Sequence, residues 1–183
     1  LLPEVKTLVA GFKERKKAVL GSLGGGPGSD LSGAMSFLGE AAEFSYSITW
    51  DVRVYDLMAT NWEEAASEAL KMAHYKHFGN LSRIQDGKVK FLPIDFKDEK
   101  TINVDSLREL DVLTVSWALN EALFNEAFWT RVIENTPKAL VLFVEGKGEQ
   151  LAKIHKLAQS QGRPSLFLQY EIPRKLILYR VPV

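Results

Sequence analysis

The chain has 183 residues, 46 % of them hydrophobic, with 23 Lys plus Arg balanced by 23 Asp plus Glu and no cysteine. That length and composition suit one globular domain with a substantial core and exclude a disordered chain. Zero net charge excludes a global polyelectrolyte grip on nucleic acid while permitting a local basic face, and the lack of cysteine excludes disulfides, thiolate-bound zinc, iron–sulfur clusters and a thiol nucleophile.

Pro3 suits a first helical turn, and Val5, Leu8, Val9 and Phe12 share one stripe at helical spacing, which predicts a helix over residues 3–16 packed on the domain. Residues 18–23 (AVLGSL) read as a buried strand running into a glycine cluster. Ser29 or Asp30 is placed to cap the next helix, which carries Leu31, Met35, Phe37 and Leu38. Residues 48–57 alternate as a second strand ending near Asp56. Asn61 is expected to cap a long helix with Glu63 and Glu64 in its first turn and Gly79 as its stop. Residues 88–94 form a third strand followed by Asp95, and Lys97 to Lys100 read as a solvated loop. Residues 110–117 are a fourth strand, residues 119–134 a helix closed by Pro137, residues 139–144 a fifth strand and residues 148–161 a helix. Residues 165–170 and 175–181 close the chain as two strands.

Alternation of strand and helix predicts an α/β fold with a parallel sheet covered on both faces. The final two strands have too short a connection for a crossover helix and should pair antiparallel. No run reaches the roughly 18 apolar residues of a membrane span. Lys6, Lys13, Arg15, Lys16 and Lys17 interrupt the start, where a secretory signal would carry its apolar core, so an intracellular site (cytoplasm, nucleus or nucleolus) is expected. A targeting segment or further domain ahead of Leu1 is left open.

The strongest signal is Ser22-Leu23-Gly24-Gly25-Gly26-Pro27-Gly28-Ser29-Asp30, between the first strand and its covering helix. Glycines there let backbone approach a ligand, and the following helix presents free amides. A P-loop requires a Gly-Lys-Ser/Thr end, and no lysine lies between Lys17 and Lys71. The dinucleotide pattern G-x-G-x-x-G fails at its third glycine, where Ser29 or Leu31 stands. G-x-G-x-G, at Gly24, Gly26 and Gly28, fits.

That spacing resembles motif I of the class I S-adenosylmethionine-dependent methyltransferases, and the resemblance continues in register along nearly the whole chain. It implies a Rossmann-like sandwich with a seven-stranded, mostly parallel sheet of order 3-2-1-4-5-7-6 and an antiparallel last strand. It also implies S-adenosylmethionine as cofactor. In that family an acid ending the second strand holds the ribose hydroxyls, and Asp56 stands there with Leu57 beside it; Asp95, with Phe96, matches the adenine-facing position after the third strand. The implied cofactor site is completed by Ser22, Gly24, Gly25, Gly26, Gly28, Asp30 and Ser116. The family motif opens with Asp or Glu two residues before the first glycine; here that residue is Ser22. Within the family, Gly24 to Leu31, the pair Asn120-Glu121 and the run Ala139 to Glu145 resemble the fungal ribosomal RNA uridine-N3 methyltransferase group, which implies rRNA processing.

Methyl transfer from a sulfonium is an in-line displacement in which positioning supplies much of the catalysis. A proton on the acceptor must also be removed. Groups for this lie after strands four and five: Ser116, Trp117, Asn120, Glu121 and Glu145. Trp117 either stacks on a flat ring or plugs the sheet edge; Asn120 and Glu121 either orient and deprotonate the acceptor or begin a helix. The fourth strand ends Ser-Trp-Ala-Leu rather than Asp/Asn-Pro-Pro-aromatic, which disfavours exocyclic amino groups as acceptors. His74 and His77 share a helix face without a third ligand, so no metal is expected. Trp50 and Trp62 read as core residues.

Basic residues cluster late. Lys147, Lys153, Lys156, Arg163, Arg174, Lys175 and Arg180 stand against only Glu149 and Glu171, and Lys13 to Lys17 adds a second basic run. Gathered on one face they make a footprint for RNA phosphates; separated, they are solvated helix surfaces. RNA is the expected partner, with a protein partner or a missing N-terminal segment as a further contributor. A catalytically silent scaffold of the same fold is the alternative function.

Overall fold

The computed structural model describes residues 3–42, 48–78, 83–116, 118, 124–145, 148–163, 165–168 and 175–179. In chain order these form α1 (Pro3–Arg15), β1 (Lys17–Leu23), α2 (Ser29–Ala41), β2 (Thr49–Asp56), α3 (Ala59–Phe78), β3 (Arg83–Pro93), a 3-10 turn (Glu99–Thr101) and α4 (Val104–Arg108). Then follow β4 (Val112–Ser116), α5 (Glu126–Glu134), β5 (Leu140–Glu145), α6 (Gly148–Ser160), β6 (Ser165–Leu168) and β7 (Lys175–Tyr179).

The strands make one sheet ordered β3-β2-β1-β4-β5-β7-β6. The five from β3 to β5 pair in parallel, and β7 runs antiparallel to both β5 and β6. Buried on both faces, β1 and β4 are mostly apolar, whereas β2 alternates, with Trp50, Val52 and Val54 on one face and Asp51, Arg53 and Tyr55 on the other. One face holds Leu20, Val52, Val54 and Val112 against α1 and α2, through Val9, Phe12, Leu31, Met35 and Leu38. The other holds Leu23, Leu113, Val115 and Phe143 against α5 and α6, through Phe128, Trp129, Leu151 and Ile154.

Several element boundaries differ from the expected ones. α3 begins at Ala59, two residues ahead of Asn61, whose own amide donates to the Met58 carbonyl at 2.8 Å. Asn61 is therefore inside the helix rather than its cap, and Gly79 lies outside the described residues. Of the expected 119–134 helix, residues 119–123 lie outside the described residues; Glu126–Glu134 is helical and capped by Asn125, whose side-chain oxygen accepts from the Phe128 amide. β3 extends back to Arg83, with a register shift opposite Trp50 to Val52, because ladder hydrogen bonds do not require the apolar pattern that residues 83–88 lack. The Lys97–Lys100 loop holds the 3-10 turn, capped by Asp98, and the short α4 was not expected at all; Asn103 caps it by accepting from the Ser106 amide. Trp50 is core as expected, but Trp62 is 39 % exposed and Phe37 54 % exposed, both on outward helix faces.

One polar network ties the frame together. Arg53, at 1 % exposure, stands in the middle of β2. It reaches Asp51, the Ser106 carbonyl at 2.6 Å and the Glu109 carboxylate, so it pins α4 and its C-cap to the sheet. Next to it the Tyr55 hydroxyl donates to Ser106 Oγ at 3.0 Å.

Candidate functional site

β1 ends where order in the sheet reverses: its neighbours are β2 on one side and β4 on the other. Crevices outside the carboxyl ends of strands at such a point are the usual ligand sites of open α/β sheets. The glycine loop fills this place. Gly24 leaves the strand with φ 72° and its amide donates to the Tyr55 carbonyl at 2.8 Å. Gly26 and Gly28 also have positive φ, 55° and 82°. Gly28, not Ser29 or Asp30, is the N-cap of α2, because the turn requires a left-handed residue and no side-chain cap is made.

Asp56 ends β2 beside this loop. One carboxylate oxygen accepts from the Gly26 amide at 3.2 Å and the other from the Met58 amide at 2.8 Å, so the loop and the strand end share one acid. Each oxygen keeps a further lone pair. Leu57 follows at 64 % exposure, open to a ligand. Asp95, just past β3, accepts from the Lys97 amide at 2.9 Å, while its own amide donates to Thr101 Oγ1. Phe96 is partly buried, its ring edge-on to Phe128 at 5.1 Å between centroids. It also lies against Gly24, where a Cβ would meet Phe96 Cζ at 2.9 Å and Ala118 Cβ at 2.8 Å. These residues converge on one edge of the sheet.

A second polar group lies beneath the loop on the α2 face. Ser22 on β1 and Thr114 on β4 are register partners, and Ser116 projects to the same face two residues on. The Asp30 carboxylate of α2 accepts from Ser22 Oγ at 2.8 and 2.9 Å, from Thr114 Oγ1 at 2.6 Å, from Ser116 Oγ at 3.3 Å and from the Leu31 amide at 3.0 Å. A Cβ on Gly25 would stand 2.0 Å from Ser22 Oγ and 2.7 Å from Asp30 Oδ1, so that position has to be glycine while the pair is intact. Thr114 is the member the sequence reading missed. Its signal was the alternation of hydroxyls at 114 and 116 in an otherwise apolar strand.

Trp117, Asn120 and Glu121 lie outside the described residues, as do Lys147, Arg174 and Arg180; the side chains of His74, His77, Glu145 and Lys175 do so as well. The Glu145 backbone pairs with Lys175 at the carboxyl end of β5. Of the basic cluster, Lys153 is 3.7 Å from Glu149 and stands over the Phe124 ring. Arg163 donates to the Ile133 and Glu134 carbonyls at the end of α5. Burial lowers its pKa, against the attraction of Glu134; arginine remains protonated in proteins. Arg163 is thus a helix-capping residue, and the gathered basic face loses that member. Among the described residues no group of three His, Asp or Glu is placed to hold a metal, and no helix is long and apolar enough to cross a membrane.

No protein-family model matches the sequence, and no curated protein matches it. Solved structures do match in fold. A calicheamicin methyltransferase aligns over 96 % of this chain and 76 % of its own, with a TM-score of 0.59 and 13 % identity. Precorrin-6y C5,15-methyltransferase from Geobacter metallireducens aligns over 97 % and 87 %, with a TM-score of 0.55 and 11 % identity. A methyltransferase from Pyrococcus furiosus aligns over 100 % and 85 %, with a TM-score of 0.55 and 12 % identity. The likeness shows the Rossmann-like fold that these methyltransferases share.

Proposed function

We propose that the chain is an S-adenosylmethionine-dependent methyltransferase. The observation that carries this reading is the junction of the glycine loop with Asp56 at the switch point of the sheet, where one carboxylate already fixes a loop amide and keeps lone pairs for two vicinal hydroxyls. Gly24, Gly25, Gly26 and Gly28 bring backbone to the ligand, Asp56 takes the ribose, and Leu57, Asp95 and Phe96 frame the adenine. When bound, S-adenosylmethionine supplies an activated methyl group on a sulfonium. The chain's part is then to align the acceptor and receive its proton, which falls to Trp117, Asn120 and Glu121 beyond β4.

The acceptor in this reading is an RNA base, with uracil N3 as its sharpest form. Support comes from the Gly24–Leu31 string, Asn120-Glu121 and the late basic residues, of which Lys156, Lys147, Arg174, Lys175 and Arg180 carry the phosphate grip once Arg163 is spent on α5. A small-molecule acceptor is the second reading, favoured by the precorrin and calicheamicin names of two fold neighbours.

Calorimetric titration tests the cofactor. S-adenosylmethionine and S-adenosylhomocysteine are expected to bind in the micromolar range, NAD not at all, and Asp56→Ala to weaken both by about 30-fold or more through the loss of two hydrogen bonds to a charged acceptor. Failure of both ligands on the wild type overturns the enzyme reading and leaves a silent scaffold. Transfer of labelled methyl to total RNA, abolished by ribonuclease and weakened steeply by salt, is expected for the RNA acceptor; label in small molecules alone overturns it.

A further inference from the structure

We infer that Gln150 is a specificity residue for the methyl acceptor. Its side-chain carbonyl accepts a hydrogen bond from a neutral donor that the acceptor keeps through the transfer, which on an RNA uridine is the ribose 2′-hydroxyl. The inference rests on the proposed RNA methyltransferase reading for the reaction and on the hydrogen bonds along α6 for the residue.

Two buried side-chain oxygens among the described residues accept from no donor, Gln150 Oε1 and Gln161 Oε1. A buried acceptor left alone is costly and calls for a reason. Gln161 has one within the fold. It lies just past α6, where its Nε2 donates to the Thr130 carbonyl of α5 at 3.4 Å, and the held nitrogen fixes where the oxygen lies. Gln150 has no such tether among the described residues.

Position points to the ligand. α6 starts just beyond the carboxyl end of β5, and Gln150 is in its first turn, at the edge of the sheet where the glycine loop also opens. Leu151, Ile154 and Ala158 bury the core face of α6. Gln150 lies on the adjoining flank, in one row with Leu157 and Gln161 at i+7 and i+11. The Gln161–Thr130 bond shows that this flank faces α5. One turn on from Gln150, Lys153 stands over the ring of Phe124, the residue before the Asn125 cap of α5. Gln150 is therefore at the gap between the starts of α5 and α6, beside the carboxyl ends of β4 and β5, where the transfer reading puts the acceptor.

The group itself selects the donor. An amide carbonyl is neutral, so an O–H or N–H satisfies it without a cation. That donor is not the proton the acceptor loses, because the methyl group arrives along the same direction and the carbonyl would stand in its path. A uracil methylated at N3 has no other N–H, since its N1 carries the sugar, and the ribose 2′-hydroxyl is what remains. The same hydroxyl lets a protein tell RNA from DNA.

The test compares the full wild-type chain with Gln150→Leu, with Gln161→Leu as the control for an orphaned oxygen at the far end of the helix. Gln150→Leu is expected to raise the melting temperature of the free protein by about 2 to 8 °C, because it removes a buried group without a partner. In labelled methyl transfer to total RNA it is expected to raise KM about 10-fold, with kcat and S-adenosylmethionine affinity within about twofold of wild type. A decamer of uridine is expected to compete about 10-fold better than its 2′-deoxy counterpart against the wild type and equally well against Gln150→Leu. Gln161→Leu is expected to keep the wild-type KM and sugar preference. If Gln150→Leu does not fold, Gln150→Met, which keeps the length and lacks the carbonyl, takes its place. No rise in melting temperature overturns the inference, as does an unchanged sugar preference or an equal loss in Gln161→Leu; in each case the methyltransferase reading stands. A wild type that binds S-adenosylmethionine and labels only small molecules overturns the inference with the RNA acceptor, and one that binds no S-adenosylmethionine overturns both readings.

Discussion

Gly25 is not one of the loop glycines with positive φ, yet it has the tightest surroundings of all, and this separates two reasons for glycine within five residues. Gly26 is glycine for its φ of 55°; a Cβ there meets nothing within 4 Å. Gly24 combines a φ of 72° with collisions against Phe96 and Ala118. Gly26→Ala should therefore cost about 1 to 2 kcal/mol in denaturant unfolding, the strain of one left-handed residue. Gly24→Ala should cost more, about 2 to 5 kcal/mol, because overpacking adds to strain. Gly25→Ala should separate Ser22 from Asp30 and weaken ligand binding more than it lowers the melting temperature. The G-x-G-x-G spacing, Asp56 and Asp95 were legible in the sequence because backbone freedom and strand-end acids are local signals. The Asp30–Thr114 contact was not, since it spans 84 residues and depends on the register of two strands.

Helix starts show how element boundaries escape a linear reading. Asn61 followed by Glu63 and Glu64 has every local mark of an N-terminus, but the chain leaves β2 at Asp56 and Asp56 itself receives the Met58 amide, so the turn closes earlier. Asn125 is a cap that the apolar pattern concealed, because Leu123 and Phe124 extend the periodicity upstream of it. Asn125→Ala is expected to destabilise the fold by about 1 kcal/mol, read from the denaturation midpoint at unchanged m-value. Its side-chain amide also donates to the Lys97 carbonyl at 3.0 Å, so the loss should fall toward the upper end of the capping range. By contrast α1, α2 and the parallel core strands were legible from periodicity alone, since each buries a long apolar stripe.

At the scale of the molecule, Arg53 links a sheet strand to α4, and a basic residue within VRVYD was the one visible hint of a buried ion network. Replacing it with Met leaves buried Asp51 with only the half-exposed Lys17, 3.5 Å away, as an ion-pair partner; about 3 kcal/mol should be lost, the lower end of the range for removing one partner of a buried pair. Burial raises the Asp51 pKa, but hydrogen bonding and attraction from Arg53 outweigh it and hold the group below its ordinary value. Glu109 is also lowered, first by its hydrogen bond from Arg53. Groups with depressed folded values contribute fully above their unfolded pKa, roughly pH 4, and lose that contribution as pH falls through the folded value. The wild type should thus lose stability on acidification below about pH 4 with a steeper slope than Arg53→Met, a comparison that chemical denaturation across pH 2.5 to 6 would make.

β7 takes an interior lane of the sheet, while β6, which precedes it in the chain, waits at the edge with β7 as its sheet neighbour. During translation the earlier strands can assemble around β1 as they emerge, but β6 has nothing to dock on until Tyr179 has left the ribosome. The edge strand β6 therefore joins the sheet only after β7, the strand that follows it in the chain. A nascent chain stalled short of residue 175 would present the bare side of β5 to chaperones and to the β5 edges of its neighbours.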